Sequence, residues 1–189
     1  DLIITKQYDT GRNWSSYWAP LSAEEYLIPN TTAAAAAGST FWAQTEPTST
    51  VFSVGSADET NGTGTMIAYC FANTTGYSKI GAYTGTGNVN GAFIHCGFRP
   101  AFIIRKKDGT EYWSVIDDKR LGYNPKNAYL FPSDDGAENA AVTRVDILSN
   151  GFKLRTTDGA DNADGEVYVY AAFAEFPFVS SNSKPGTAR

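Results

Sequence analysis

The sequence predicts an all-β protein: one antiparallel β-sandwich of the jelly-roll or lectin-like kind, built from two duplicated halves with pseudo-twofold symmetry. Composition is the first reason, because only 19% of the 189 residues are charged while 14% are aromatic. Turn-forming and β-branched residues are also abundant, a mixture that is typical of many short strands joined by loops. An internal repeat and a series of short apolar runs are the other two reasons.

The repeat has an offset of about 100 residues and keeps its order along the chain. LIITK, residues 2–6, matches FIIRK, residues 102–106, and Trp14 matches Trp113. Further matches follow in the same order: YLIP 26–29 with YLFP 129–132, Asn61 with Asn162, and CFA 70–72 with AFA 172–174. We therefore divide the single domain 1–189 into repeat unit one, residues 1–80, and repeat unit two, residues 91–178, with a C-terminal tail at 179–189.

Short apolar or alternating runs predict the strands, and Asp-Gly and Asn-Gly pairs predict the turns between them. The predicted strands are LIIT 2–5, VFSVG 51–55, MIAYCFA 66–72, FIIR 102–105, WSVID 113–117, GFKLR 151–155 and VYVYAAFA 167–174. The long runs at 66–72 and 167–174 suit central strands. Alanines 33–37 lack an amphipathic pattern and predict at most one helical turn. Trp14 and Trp113 are expected in the core, and Arg105 and Lys106 are expected to close a strand at the surface.

The two units differ at their starts. GAFIHCGFRP, residues 91–100, predicts a strand and a turn before unit two, whereas the matching strand of unit one would precede Asp1. We therefore expect the chain to be the C-terminal part of a longer polypeptide. The alternative is that the tail or a neighbouring chain fills the vacant edge.

Several function classes find little support in the sequence. The formal net charge of −5 offers no basic surface for nucleic acid, and no apolar run is long enough to predict membrane insertion. Cys70 and Cys96 are predicted to be free thiols. The single histidine, His95, adjoins Cys96, but neighbours on a strand point to opposite faces and cannot easily cooperate. No Gly-x-Ser-x-Gly motif is present either. We expect no enzyme activity, no cofactor and no metal.

Acidic residues leave two alternatives open. DGADNADGE, residues 158–166, offers Asp158, Asp161 and Asp164 as calcium ligands, but the spacing differs from an EF-hand loop and equally fits an ordinary turn. Glu175, after the strand at 167–174, is the most plausible lone acid for glycan hydrolysis, although a rim or capping role is preferred for it.

Aromatic residues without a partner in the other repeat are candidates for a ligand surface. Tyr17, Trp18 and Tyr123 are selected on this ground, because an exposed aromatic ring can stack on the face of a sugar. The alternative is that these rings cover an edge of the sandwich or a contact between subunits.

Four segments resemble an uncharacterised domain of virion proteins of tailed bacteriophages, especially marine phages and cyanophages. They are FWAQTEPTSTVFSVG 41–55, the run from MIAYCFA to IIRKKD at 66–108, ILSNGFKLR 147–155 and YVYAAFAEFPF 168–178. The resemblance covers essentially the whole chain and keeps the order of the motifs. It implies a tail-fibre or capsid-fibre domain at the virion surface.

What the resemblance implies about function is adhesion to the host surface or a structural role. The expected partners are other virion proteins and a host-surface glycan, and the expected assembly is a homotrimer by analogy with fibres. A purely structural virion protein, such as a capsid decoration or tail-shaft subunit, is the first alternative. A glycan-degrading tailspike-type enzyme is the second.

Overall fold

The computed structural model describes residues 1–120, 124–126 and 128–176, and these residues form an antiparallel all-β protein. Two four-residue helices interrupt it, and no helix in the described residues is long and apolar enough to cross a membrane. The strands are β1 Leu2–Gln7, β2 Ser15–Trp18, β3 Glu25–Tyr26, β4 Ala36–Ala37, β5 Met66–Phe71, β6 Ser78–Thr84, β7 Phe93–His95, β8 Pro100–Lys107, β9 Ser114–Asp117, β10 Val145–Leu148, β11 Gly151–Leu154 and β12 Val167–Ala174. The helices are α1 Asp58–Asn61 and α2 Gly159–Asn162.

Three sheets stack to form the sandwich. Sheet A has the strand order β2-β1-β5, sheet B has the order β6-β12-β8-β9, and sheet C has the order β10-β11-β7. Between sheets A and B lies the A–B core, which includes Leu2, Trp18, Trp113 and Val169. Between sheets B and C lies the larger B–C core, which includes many aromatic rings. A third cluster around Trp42 covers the other face of sheet A. The predicted all-β sandwich is confirmed.

Strand β12 lies at the centre of sheet B and is covered on both faces. Its side chains alternate between the two cores: Tyr168, Tyr170 and Ala172 enter the B–C core, while Val169 and Ala171 enter the A–B core. Because both faces are buried, every residue from 168 to 172 must be apolar or aromatic. This explains why VYVYAAFA is a continuous run and not an alternating pattern, and it confirms the prediction of a central strand.

Strands at matching positions of the two repeat units pair in the same order. In sheet A, β1 lies between β2 and β5, and Ile3 faces both Tyr17 and Cys70. In sheet B, β8 lies between β9 and β12, and Ile103 faces Ile116 and Ala172. Helices α1 and α2 also occupy corresponding places in the chain. The units differ beyond this pattern, since β12 has the further neighbour β6, and the duplication itself stays a prediction.

Several strand predictions are wrong. VFSVG at 51–55 forms no strand, whereas its counterpart GFKLR forms β11 between β7 and β10. MIAYCFA forms β5, but β5 is an edge strand with exposed side chains and not a central one. Alanines 36–37 form β4, which pairs with β3, so the prediction of at most one helical turn holds but the strand there is missed. Trp113 is buried as expected, while Trp14 is only half-buried.

The surface placement of Arg105 and Lys106 is also wrong. Strand β8 continues to Lys107, so both residues lie within it, paired with β12. They are exposed by only 1% and 0%, respectively. The tail at 179–189 lies outside the described residues.

Phe152 tests the B–C core, because it is fully buried and its ring packs edge-on against Tyr83 and Tyr170. Replacing a buried phenylalanine by alanine removes apolar contacts and leaves a cavity, so we expect Phe152→Ala to lower the free energy of unfolding by about 3–5 kcal/mol. Urea titration followed by tryptophan fluorescence measures the loss. Val89→Ala, at a side chain that is 61% exposed, is the control and should change stability by less than about 0.5 kcal/mol. Equal stability of the two variants would contradict this description of the core.

Candidate functional site

The predicted ligand residues Tyr17 and Trp18 lie in the interior, exposed by only 3% and 2%. The Tyr17 hydroxyl donates to the Glu46 carboxylate and its ring packs against Trp42, while Trp18 packs against Trp113. Strand β2 is covered on both faces by apolar clusters, so neither ring can stack on a sugar at the surface. The exposure that this prediction required is therefore wrong for both residues. Tyr123 lies outside the described residues and stays a prediction.

A polar cleft of about 300 Å³ lies where the loop between β5 and β6 meets the turn after β7. Most of its lining residues have polar side chains, and the full lining is Asn73, Thr74, Thr75, Gly76, Ser78, Lys79, His95, Cys96 and Gly97. This volume is at the lower end of the range of about 300–1,000 Å³ that holds small ligands in proteins.

Backbone hydrogen bonds fix the loop that forms one wall of the cleft. The carbonyl of Thr74 accepts from the backbone N–H groups of Tyr77 and Ser78, at 2.9 and 3.0 Å. Gly76 has a φ of +73°, a left-handed conformation that favours glycine at this turn. The Asn73 side chain accepts from the backbone of Ile80 at 2.6 Å and so ties the loop to β6.

Tyr77 gives this loop an aromatic surface. Its side chain is 46% exposed, and its ring contacts Phe173 at a centroid distance of 6.2 Å. Phe102, 37% exposed, packs on the other side of Phe173. The Tyr77 ring does not itself line the cleft, because it packs on Phe173 at the A–B face of sheet B. One loop thus carries an exposed ring, which can stack on the apolar face of a sugar, and a cleft wall of hydroxyl and amide groups, which can hydrogen-bond a polyhydroxyl ligand. Sequence reasoning missed Tyr77, although the turn residues around it in NTTGYS, residues 73–78, could have shown its exposure.

The interior holds a group of charges in which two arginines share one aspartate. Arg105 Nε lies 2.7 Å from one carboxylate oxygen of Asp161, and Arg144 binds the other oxygen. Arg144 also pairs with Asp158 at 2.7 Å and lies over the ring of Tyr129. Arg105 and Asp161 are at most 1% exposed, and breaking such a buried pair is strongly destabilising because a charge is left uncompensated.

The calcium alternative for residues 158–166 receives no support from this geometry. Asp161 is taken up by the two arginines, and Asp158 caps α2 by accepting from the backbone of Ala160. Among the described residues, no group of three or more acidic, histidine or cysteine side chains is placed to hold a metal ion. The acidic segment here compensates buried arginines.

Glu175 lies at the end of sheet B in a surface ion-pair network. Its carboxylate lies 3.7 Å from both Arg99 and Lys119, and Asp118 pairs with the same two cations. This arrangement agrees with the preferred rim role for Glu175. The expectation that the chain is not an enzyme stays a prediction.

Lys106 occupies an unusual environment for an ammonium group. Its Nζ donates to the carbonyls of Lys107 and Gly109, at 2.6 and 2.5 Å, and faces no carboxylate at hydrogen-bond distance in the described part of the chain. Burial lowers the pKa of Lys106 from its usual value to about 8. Lys6, at the matching position of β1, binds the carbonyls of Gln7 and Thr10 in the same way but is only half-buried.

The two cysteines are free, as predicted, and have opposite environments. Cys70 is exposed on β5, whereas Cys96 is 8% exposed at the base of the polar cleft. Burial raises the pKa of the Cys96 thiol to about 12, which keeps it protonated and unreactive at neutral pH.

The comparison with protein families gives one match. The model described as Domain of unknown function (DUF7483) matches residues 1–177. The chain belongs to this family. No curated protein and no solved structure matches the chain. The DUF7483 match spans both predicted repeat units, so the polar cleft and the buried charges lie within the family domain.

Thiol reactivity tests the two cysteine environments of the DUF7483 domain. We expect one thiol of the native protein, Cys70, to react with a disulfide reagent within minutes at pH 8. Cys96 should react only after unfolding, because burial both covers it and raises its pKa. The Cys70→Ser variant should show no fast thiol when native and one thiol in urea. A fast native thiol in that variant would contradict the burial of Cys96.

The lowered pKa of Lys106 gives stability a defined dependence on pH. Between the folded pKa of about 8 and the normal unfolded value, the unfolded chain binds more protons, so the stability contributed at this position rises as pH increases. We expect the free energy of unfolding of the wild type to rise between pH 8 and pH 9 relative to Lys106→Met. Urea titrations at the two pH values measure the difference.

Lys6→Met is the matched control, because Lys6 makes the same kind of hydrogen bonds in a more exposed setting. Its pH dependence should follow that of the wild type. If Lys106→Met keeps the wild-type slope, the Lys106 ammonium is not the titrating group.

Proposed function

We propose that this chain is a domain of a bacteriophage virion appendage, a tail fibre or capsid fibre, that binds a host-surface glycan through the polar cleft beside Tyr77. In this proposal the domain is displayed at the virion surface, attaches to the host and is held among other virion proteins. It assembles as a homo-oligomer, and the resemblance to fibre proteins implies a trimer.

The support for a virion protein comes from the sequence. The motifs that resemble phage appendage domains extend over residues 41–178 and keep their order. A β-sandwich without a charged surface for nucleic acid is compatible with such a role, but many functions share this architecture. The assignment to a phage particle therefore depends on the resemblance.

The observation that carries glycan binding is that one loop, residues 73–77, bears an exposed aromatic ring and also forms a wall of the polar cleft. Tyr77 is one of the most exposed aromatic side chains in the described residues, and it lies in the loop that forms a wall of the cleft. Lys79 and His95 add donors on the cleft lining. Sugars present both hydroxyl groups and an apolar ring face, and these groups match both features.

A purely structural role is the second candidate, and the exposed strand β5 favours it. Ile67 and Tyr69 leave an apolar strip at a sheet edge, 39% and 44% exposed, which suits contact with a neighbouring subunit. A decoration or shaft protein would use such contacts and would bind no glycan.

Glycan binding is tested with fluorescently labelled protein on an array of bacterial surface polysaccharides and lipopolysaccharide glycans. We expect saturable binding to at least one glycan class. Tyr77→Ala and Lys79→Ala should each weaken it about tenfold, the loss typical of a central contact residue.

Tyr8→Ala is the matched control, because Tyr8 is 67% exposed but lies outside the cleft. It should bind as the wild type does. Absence of binding to every glycan, or equal weakening by Tyr8→Ala, would reject the cleft as a glycan site. Immunogold labelling of intact particles would then show whether a structural role remains.

A further inference from the structure

Strand β5 presents an unpaired edge along its whole length. It pairs with β1 from Met66 to Phe71, and no described strand or loop makes backbone hydrogen bonds to its other side. The outer backbone N–H and C=O groups of β5 are therefore available to a further strand.

Four other edges of the described sheets are met by loop segments, and the outer edge of β7, which is not met in the described residues, is only three residues long. The outer side of β2 exchanges two backbone hydrogen bonds with Leu27, and β9 does the same with Leu130. Strand β10 is met by Lys126, and the start of β6 is covered by Thr74 and by the side chain of Asn73. Such coverage is the usual way in which proteins prevent sheets from joining at their edges.

Strand β5 carries none of the usual protective features. Its sequence, MIAYCF, contains no lysine, proline, glycine or charged residue, and its pairing with β1 shows no bulge. Four of its six residues are exposed, including Ile67, Tyr69 and Cys70. A regular, uncharged and apolar edge of this kind is a template for pairing with another strand.

The matching strand in sheet B shows which neighbour suits this position. Strand β12 pairs with β8 as β5 pairs with β1, and its other edge is occupied by β6 in antiparallel orientation from Val167 to Phe173. The position next to β5 that corresponds to β6 is empty in the described residues. An antiparallel strand is therefore the neighbour that this type of sheet accepts.

We propose that the β5 edge joins two copies of this chain through antiparallel β5–β5 pairing, giving a continuous six-stranded sheet with the order β2-β1-β5-β5-β1-β2. A twofold axis perpendicular to the sheet passes beside Ala68 or Tyr69. In the first register Ile67 faces Tyr69 of the second copy, and in the other register Tyr69 faces Tyr69. Every cross-strand pair within β5 is uncharged in both registers, so the edge is complementary to itself.

This inference goes beyond the proposed function and does not rest on glycan binding. A β5–β5 contact is isologous and closes after two copies, whereas a trimer needs a heterologous contact. The inference thus predicts a dimer where the resemblance to fibre proteins implies a trimer. The polar cleft remains outside the β5 edge, so the two proposals can fail separately.

The test measures mass in solution by light scattering after size exclusion and by sedimentation over a range of protein concentrations. We expect the wild-type mass to rise with concentration toward twice that of one chain. Ile67→Lys and Tyr69→Lys place charges in the apolar pairs and should each leave a monomer at the same concentrations. Both side chains are partly exposed, so both variants should fold, and thermal unfolding checks that they do.

Val89→Lys is the matched control, since it places the same charge on an apolar side chain that is 61% exposed away from β5. It should dimerise as the wild type does. A wild-type chain that stays monomeric at every concentration would assign the edge to another occupant and overturn the proposal. So would a trimer, or a dimer that persists in both lysine variants of β5.

Discussion

The burial of β12 on both faces is the constraint on which the rest of the structure depends. Its backbone is hydrogen-bonded to β6 and β8, and its side chains supply both the A–B core and the B–C core. Sheets A and C pack against opposite faces of sheet B. A polar side chain anywhere from 168 to 172 would therefore enter an apolar cluster on one side or the other, at a cost of several kcal/mol unless a hydrogen-bond partner were supplied.

The buried charged side chains Arg105, Arg144 and Lys106 each have a polar or charged partner in this interior. Asp161 compensates Arg105 and Arg144, and Lys106 donates to two backbone carbonyls. Helix α2 positions Asp161 beneath β8, and Asp158 caps that helix. The turn-like acidic segment and the basic end of β8 thus form one electrostatic unit. The polar cleft lies elsewhere, at the junction of the β5–β6 loop and the turn after β7, where side chains are free to meet a ligand.

Much of the fold could be predicted from local patterns, while burial could not. Alternation and turn residues located β1, β5, β8, β9, β11 and β12, because these signals depend on neighbours in sequence. Whether a strand is central or at an edge depends on which distant strand lies beside it. MIAYCF and VYVYAAFA therefore read alike although one is exposed and the other buried. The predicted surface exposure of Tyr17 and Trp18 is wrong for the same reason. No residue close to them in sequence indicates that the cluster around Trp42 covers this part of sheet A.

The position of β12 along the chain also has a consequence for biosynthesis. Sheet A needs only residues up to Phe71, so its three strands can assemble while the chain is still being synthesised. Strands β6 and β8 must instead wait for a partner that begins at Val167, more than 80 residues after β6 ends at Thr84. Contacts this distant in sequence form slowly, because the loop between them must close first. A nascent chain that stops before β12 would contain a complete sheet A and a sheet B that lacks its central strand.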